Sequence, residues 1–177
     1  MINTKKEKRE FLMFILERPL NKILDLGCGR GFMSKFFHKK TTKIRGIDIR
    51  EMSENSENFK FILGDIRKED FEKENDLIMA SLILHVFENQ VALKLIEKMK
   101  QSTSNGGYNF LICMTNEDDL AKTKRGKFYP SLNEIKEIYS DWHLIKKVQG
   151  RTEMEDHNNL GPHNHDLMFL LFQKRSL

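Results

Sequence analysis

A glycine-rich turn preceded by an acidic residue is the part of this sequence best suited to bind a ligand. Gly27, Gly29 and Gly31 follow a strand-like run that contains Asp25, and a helical pattern begins directly after them. Glycines let the backbone turn sharply and let a ligand approach the main chain, and the amides of the next helical turn then face that ligand. The Gly-x-Gly-x-Gly spacing differs from the Gly-x-Gly-x-x-Gly of dinucleotide sites. The Asp25 carboxylate repels a pyrophosphate but suits a cationic amino-acid moiety, although the motif alone also fits an ordinary strand-to-helix turn.

Two further acidic residues stand where predicted strands end. Asp48 comes about twenty residues after the glycines, where an acidic side chain can accept hydrogen bonds from both ribose hydroxyls. Asp65 follows the third strand, where it can accept a hydrogen bond from an adenine amino group, with Ile66 against the base. We assign Ile49 and Ala80, at the ends of the second and fourth strands, to the same cofactor-binding edge.

Four histidines and one arginine form a second candidate group. His85 follows the fourth strand, while His157, His163 and His165 lie on the loop between the last two strands, downstream of Arg151. Side chains two residues apart on an extended segment point the same way, so a His-x-His pair can bind an anion or a metal, or accept a proton. The same residues also fit a solvent-exposed hairpin loop. Cysteine ligands are missing nearby, so we expect no structural zinc site and assign no metal.

The elements that would position these residues alternate between strand and helix. We predict a first helix over 5–17, crossover helices over 33–38 and 89–100, and a later helix that begins at a Ser131/Glu134 capping box and ends near 140. Only nine polar residues separate the second and third strands, which is short for a parallel crossover, so a helical turn or bare loop is expected there. The predicted strands span 22–26, 43–49, 59–63, 76–81, 108–114, 142–150 and 166–174.

The length and composition of the chain limit further the classes of protein to which it could belong. The chain has 177 residues, a net charge of +4 and two cysteines, which fits one domain over 1–177 with a single core and no disulfide framework. Cys28 lies in the glycine turn and is counted among the cofactor-binding residues, while its thiol and that of Cys113 are expected to be reduced. The longest apolar stretches are too short for a membrane span or a signal peptide, so we expect a cytoplasmic protein that does not associate with membranes.

The glycine turn, Asp48, the Gly64-Asp65-Ile66 step and the apolar strand over 76–81 together resemble the class I S-adenosylmethionine-dependent methyltransferases. The resemblance implies an α/β, Rossmann-like fold with a mostly parallel seven-stranded sheet, an antiparallel last strand and helices on both faces. In this chain the second crossover helix would be reduced or missing. It also implies S-adenosylmethionine as the cofactor.

The later half, with Gly106-Gly107-Tyr108-Asn109 and the Tyr139-Ser140-Asp141-Trp142 step, is similar to the tellurite-resistance methyltransferase family. This resemblance implies a small-molecule acceptor such as a soft oxyanion, tellurite or selenite. The methyl group would move by direct displacement from the sulfonium, and the loop histidines and Arg151 would position the substrate.

Two alternatives remain open at this stage. One is an RNA methyltransferase that uses an open basic face around the Lys/Arg-rich segment of residues 122–127, although the base-binding motif usual after the fourth strand is absent and only Ser81-Leu82-Ile83-Leu84 stands there. The other is a protein that binds S-adenosylmethionine without catalysis. The sequence predicts neither the physiological acceptor nor the oligomeric state.

Overall fold

The computed structural model describes residues 1–38, 43–156 and 161–176, and a seven-stranded sheet forms its centre. The sheet strands are β1 (Lys22–Leu26), β2 (Lys43–Asp48), β3 (Phe59–Leu63), β4 (Asn75–Ser81), β5 (Thr103–Met114), β6 (Trp142–Arg151) and β9 (Asp166–Lys174), with a separate hairpin of β7 (Glu155–Asp156) and β8 (Pro162–His163). They lie in the order β3-β2-β1-β4-β5-β9-β6, and only the pairs that β9 makes with β5 and β6 are antiparallel. This arrangement confirms the predicted mostly parallel sheet with an antiparallel last strand.

Helices cover both faces of the sheet, as predicted. On one face, α1 (Thr4–Leu16) buries Phe11, whose ring stacks on Phe110 of β5 at 5.2 Å. On the other face lie α2 (Asn89–Ser102) and, past the short α3 (Asp119–Thr123), α4 (Leu132–Ile138). Central strands with both faces buried explain why β1 and β4 read as nearly continuous apolar runs. Within the described ranges, no helix combines the length and apolar character needed to cross a bilayer.

The first crossover differs from its prediction. The helix expected over 33–38 is a short 3-10 turn, Ser34–Phe37, and Phe32 before it is 73% exposed. The turn conformation continues beyond the last glycine. The Lys35 amide donates a hydrogen bond of 2.9 Å to the Gly31 carbonyl. Phe37 is completely buried and packs in the core beneath this turn.

The second crossover is a bare loop, as predicted. Residues 49–58 are all described and contain no helix. The loop is fixed to the first crossover by side-chain hydrogen bonds: Ser53 Oγ donates to the Gly29 carbonyl at 2.6 Å, and Asn58 Nδ2 donates to the His38 carbonyl at 3.1 Å. The side of the sheet near β2 and β3 is therefore covered by a hydrogen-bonded segment without helical structure.

In the C-terminal half, the predicted helix and closing strands are present, and the short α3 and the β7–β8 hairpin occur in addition to them. Ser131 and Glu134 form the predicted capping box, with Glu134 Oε2 accepting from the Ser131 amide at 2.7 Å. The strand predicted over 108–114 begins earlier, at Thr103, and residues 103–107 form an irregular part of β5 where the register against β4 shifts. Gly106, with a φ of +75°, permits this irregularity, because its backbone conformation is rarely adopted by residues with a side chain.

Candidate active site

The glycine turn lies at the carboxyl end of β1 and is tied to the neighbouring strand. Gly27 and Gly29 have φ values of +65° and +52°, and the Gly27 amide donates to the Ile47 carbonyl at 2.8 Å. The Gly29 amide donates to Asp48 Oδ2 at 2.9 Å. A Cβ atom on Gly27 would lie 2.7 Å from the Ile83 side chain, so Gly27 brings the turn against the segment that follows β4.

Asp25 is buried beneath this turn, at 3% exposure. Its Oδ2 accepts a hydrogen bond of 2.6 Å from Ser34 Oγ. Burial, and secondarily the nearby Asp48 carboxylate, raises the pKa of Asp25 to about 7, although the Ser34 hydrogen bond opposes the rise. Asp25 has no ion-pair partner within the described ranges, and such a buried carboxylate favours a cation that enters its surroundings. This fits the cationic ligand expected from the sequence.

Cys28 is also part of this turn, but its thiol is inert. Burial, together with the Asp25 and Asp48 carboxylates, raises the pKa of Cys28 to about 12. Burial alone raises the pKa of Cys113 to about 12. Both cysteines are free, and neither forms the thiolate that nucleophilic chemistry requires.

A cleft of about 160 Å³ opens beside the turn at the carboxyl ends of the parallel strands. The predicted residues Asp48, Ile49, Asp65 and Ile66 lie around it. Ile49 is exposed, whereas Ile66 is 5% exposed and forms the floor. Ala80 is completely buried in the core below the cleft, so its side chain has no free surface for a ligand. The full lining is Gly27, Asp48, Ile49, Gly64, Asp65, Ile66, Arg67, Ile83, Val86 and Phe87.

Four of the lining residues were missed by the sequence analysis. Ile83, Val86 and Phe87 belong to an apolar run that continues past β4, and that continuation was the signal available in the sequence. Arg67 forms a forked ion pair with Asp65, with its Nε 2.9 Å from both carboxylate oxygens. This pair lowers the pKa of Asp65 to about 2. Arg67 therefore binds the same carboxylate that we expected to accept a hydrogen bond from the adenine amino group.

On the other side of this apolar run, the structure brings three of the predicted histidines near one buried carboxylate. His163 and His165 have ring centroids 5.0 Å apart, in agreement with the expected orientation of a His-x-His pair. His165 Nδ1 lies 3.0 Å from Asp118 Oδ2. His85 is close enough for Asp118 to raise its pKa and for His165 to lower it, and burial makes lowering the net result. Asp118 was not singled out in the sequence, since only its fold position reveals it.

His85 occupies the position between the cleft and the histidine pair. It lies in a short 3-10 turn flanked by Ile83 and Val86, both of which line the cleft. Its ring lies 6.0 Å from that of Tyr129. Its Nδ1 is buried and has no hydrogen-bond partner among the described residues. A neutral imidazole in this position can accept a hydrogen bond from a bound molecule.

Arg151 borders the histidine pair but is engaged by acidic and amide groups. Its Nε donates to Asn164 Oδ1 at 2.7 Å, and its Nη atoms lie 3.1 Å from Asp119 and 3.6 Å from Asp166. His157, the remaining predicted site residue, lies outside the described residues. A cavity of about 390 Å³ adjoins this group and is lined by Asp118, Asp119, Leu120, Met154, Pro162, His163, Asn164 and His165. In the described part of the chain, no three acidic, histidine or cysteine side chains are grouped to hold a metal ion.

This sheet order, with a glycine turn and acidic residues at the strand ends, is the fold of the class I methyltransferases. The TehB crystal structure from Haemophilus influenzae superimposes with a TM-score of 0.77 at 21% identity, over 96% of this chain and 62% of that one. The N-methyltransferase NodS from Bradyrhizobium japonicum WM9, solved with S-adenosyl-L-homocysteine, gives 0.73 at 15% identity, over 97% of this chain and 88% of that one.

A match to a family model places the chain more specifically within this class of fold. The model of the tellurite resistance protein TehB family matches residues 14–164, so the chain belongs to that family. It is 25% identical over 147 residues to the probable S-adenosyl-L-methionine-dependent methyltransferase TehB of Haemophilus influenzae. The match covers 75% of this chain and 50% of that protein, so the chain spans about half the length of the curated relatives it matches.

Proposed function

We propose that the protein is an S-adenosylmethionine-dependent methyltransferase that acts on a small molecule. The observation that carries this proposal is the placement of Asp25, Asp48 and Asp65 at the carboxyl ends of three adjacent strands, around a glycine turn. A buried carboxylate suits the cationic amino-acid end of the cofactor, and an acidic strand end suits its ribose. The names of the TehB relatives and the S-adenosyl-L-homocysteine bound to NodS support the same cofactor.

The residues of this chain hold and align the reactants. When bound, the cofactor supplies a methyl group on a sulfonium, which is transferred by direct displacement. Asp25 would hold the amino-acid end, Asp48 the ribose, and the apolar wall of Ile66 and Phe87 the base. Because such a displacement depends mainly on alignment and on excluding water, the buried turn and the apolar residues after β4 fit the task.

The acceptor site proposed here is the histidine group at the adjacent cavity. His85, His163 and His165 are the residues that we propose contact the acceptor, and Arg151 is held close behind them. The family description refers to tellurite resistance, so tellurite and the chemically related selenite belong in the panel of acceptors beside proton-bearing compounds. A small molecule is favoured over RNA because two of the basic loop residues are paired, Lys122 with Asp119 at 2.6 Å and Lys127 with Glu88 at 2.8 Å.

The experiment is calorimetry followed by transfer of a labelled methyl group. We expect binding of S-adenosylhomocysteine and no binding of NAD, and then turnover on at least one compound of a panel of oxyanions, thiols, amines and phenols. Labelling of an RNA pool instead would favour the nucleic-acid alternative. Cofactor binding without turnover on any acceptor would favour a non-catalytic binding protein.

A further inference from the structure

The buried carboxylate of Asp118 accepts three hydrogen bonds from described residues. It is 1% exposed. Its Oδ1 accepts from the Leu120 amide at 2.9 Å, which caps α3, and its Oδ2 accepts from the Asp166 amide at 2.9 Å and from His165 Nδ1 at 3.0 Å. Two backbone amides therefore fix the orientation of the carboxylate that contacts the imidazole.

His165 is fixed at its backbone as well as at its ring. Its amide donates to Thr152 Oγ1 at 3.0 Å, and its carbonyl accepts from the Thr152 amide at 2.8 Å. Because a carboxylate can only accept, His165 Nδ1 carries the proton of this contact, and the neutral ring has Nε2 as its basic nitrogen. A carboxylate behind an imidazole orients the ring and stabilises its protonated form.

The charged groups around His165 are mostly acidic or already paired. Asp118, the N-cap of α3, contacts the ring, while the carboxylates of Asp119 and Asp166 lie beside Arg151. The other imidazoles nearby are His163, perpendicular to the ring, and His85, whose pKa is lowered by burial and by His165. The cavity wall otherwise includes the apolar side chains Leu120, Met154 and Pro162. These surroundings suit a neutral or cationic molecule better than a free anion.

We propose that His165, positioned by Asp118, removes a proton from the methyl acceptor, and that the acceptor is therefore a small amine, thiol or hydroxyl compound. This inference rests on the proposed methyltransferase function and specifies its substrate class. His165 is the residue that contacts the acceptor, and Asp118 is a positioning residue that acts through the imidazole.

His165 Nε2 takes the proton of the acceptor X–H, and the lone pair on X forms a bond to the methyl carbon. The carbon–sulfur bond breaks with its electron pair going to sulfur, so the sulfonium becomes a neutral thioether. The imidazolium then returns its proton to solvent. A soft oxyanion presents a lone pair without first losing a proton, so it does not need such a base.

The experiment compares His165→Gln and Asp118→Asn with two matched controls. His143→Gln changes an exposed histidine on β6, and Ser131→Ala removes the cap of α4 as Asp118→Asn disturbs that of α3. Methyl transfer is measured on a thiol, an amine, a phenol, tellurite and selenite, with kcat followed from pH 5 to pH 9. Calorimetry with S-adenosylhomocysteine and thermal unfolding are recorded for every variant.

For wild type we expect turnover on a proton-bearing acceptor, with kcat rising through a single ionisation. His165→Gln should lower that kcat by about 100-fold or more and remove the ionisation, as expected for loss of a general base. Asp118→Asn should lower kcat about tenfold or more. Both variants should leave cofactor affinity within about twofold, and added imidazole should partly restore His165→Gln.

Unchanged kcat in His165→Gln, or wild-type turnover on tellurite or selenite only, would overturn the inference while the methyltransferase function stands. A kcat for Asp118→Asn that follows only its melting temperature, as Ser131→Ala should, would also overturn the pairing. Lack of cofactor binding, or of turnover on every acceptor, would instead refute the proposed function, and the inference would fall with it.

Discussion

Ser34 Oγ donates a 2.6 Å hydrogen bond to the Asp25 carboxylate, so a neutral hydroxyl stabilises a buried acid under the glycine turn. A neutral partner stabilises a carboxylate less than a cation does, and burial accordingly keeps the pKa of Asp25 near 7. Among the described residues no cation pairs with this carboxylate, so a positively charged ligand beside it would stabilise its ionised form.

The raised pKa of Asp25 makes the stability of the folded protein depend on pH. Because the folded-state pKa of Asp25 is raised to about 7, the folded protein binds this proton more tightly than the unfolded chain. The resulting stability is present at acidic pH and is lost as pH rises from about 4 through about 7. Asp25→Asn should therefore unfold like wild type near pH 4 and be more stable at pH 8, on the order of 2 kcal/mol. Thermal unfolding of both proteins at several pH values checks this, and a pH-independent difference would contradict it.

The same substitution should weaken the cofactor. Asp25→Asn removes the charge that we propose holds the amino-acid end, so affinity for S-adenosylhomocysteine at pH 8 should fall about tenfold or more. In wild type, affinity should decline as pH falls below about 7, since the ligand then competes with a proton on Asp25. Calorimetry across pH 6 to 8 measures both effects. A more stable variant with unchanged affinity would remove Asp25 from the site.

A pair of glycine substitutions separates backbone strain from steric contact. Gly27→Ala should be destabilising by both, because its Cβ would lie 2.7 Å from Ile83 and its φ is +65°. Gly29→Ala has a φ of +52° but meets nothing within 4 Å, so it carries strain alone, about 1 to 2 kcal/mol. Gly27→Ala combined with Ile83→Ala should recover part of the difference. Denaturant unfolding of the four proteins tests this, and equal effects of the two single substitutions would exclude the contact with Ile83.

Replacing Asp65 should change the affinity for S-adenosylhomocysteine without changing the stability of the fold. Its ion pair with Arg67 is solvent-exposed and should contribute little to folding. Asp65→Asn should therefore leave the melting temperature nearly unchanged but lower affinity for S-adenosylhomocysteine about fivefold to tenfold, because a charged acceptor is lost from the cleft. Calorimetry in low and high salt measures the change. A large fall in melting temperature with unchanged affinity would assign Asp65 to structure alone.

Tyr139 supports the fold far from the cleft. Its hydroxyl donates to Asn109 Oδ1 at 2.9 Å, and its ring stacks on Phe172 at 4.2 Å. Tyr139→Phe keeps the stacking but leaves the buried amide oxygen of Asn109 without this donor, at a cost of about 1 to 3 kcal/mol. Denaturant unfolding should show the loss with kcat unchanged. Loss of kcat without loss of stability would contradict this structural role.

Local patterns made much of the fold predictable. The continuous apolar run of β4, the Ser131 capping box and the short second crossover each follow from the nearby sequence, and all three are present. The 3-10 turn at Ser34–Phe37 was not predictable, because its extent depends on how far the glycine turn carries the chain. The bulge around Gly106 was missed because it depends on register with β4.

The residues of the candidate site likewise differ in whether the nearby sequence could reveal them. Residues within one motif, such as Asp25 and Gly27, were found from spacing. Asp118 and His165 are far apart in the chain, and they meet only because β9 returns antiparallel beside β5. Arg67 was missed because forked pairing with Asp65 is a matter of rotamers, which the sequence does not display.

The loop of residues 49–58, which stands where a second crossover helix would be, is hydrogen-bonded to the glycine turn. Ser53 Oγ holds the Gly29 carbonyl, and Asp48 holds both the Gly29 amide and, at 3.0 Å, the Arg50 amide. The glycine turn beside the cleft and the loop of residues 49–58 are thereby joined by a few polar contacts and not by a helix. A molecule that displaces this loop is therefore expected to shift Gly29, and a ligand bound beside the glycine turn is expected to order the loop.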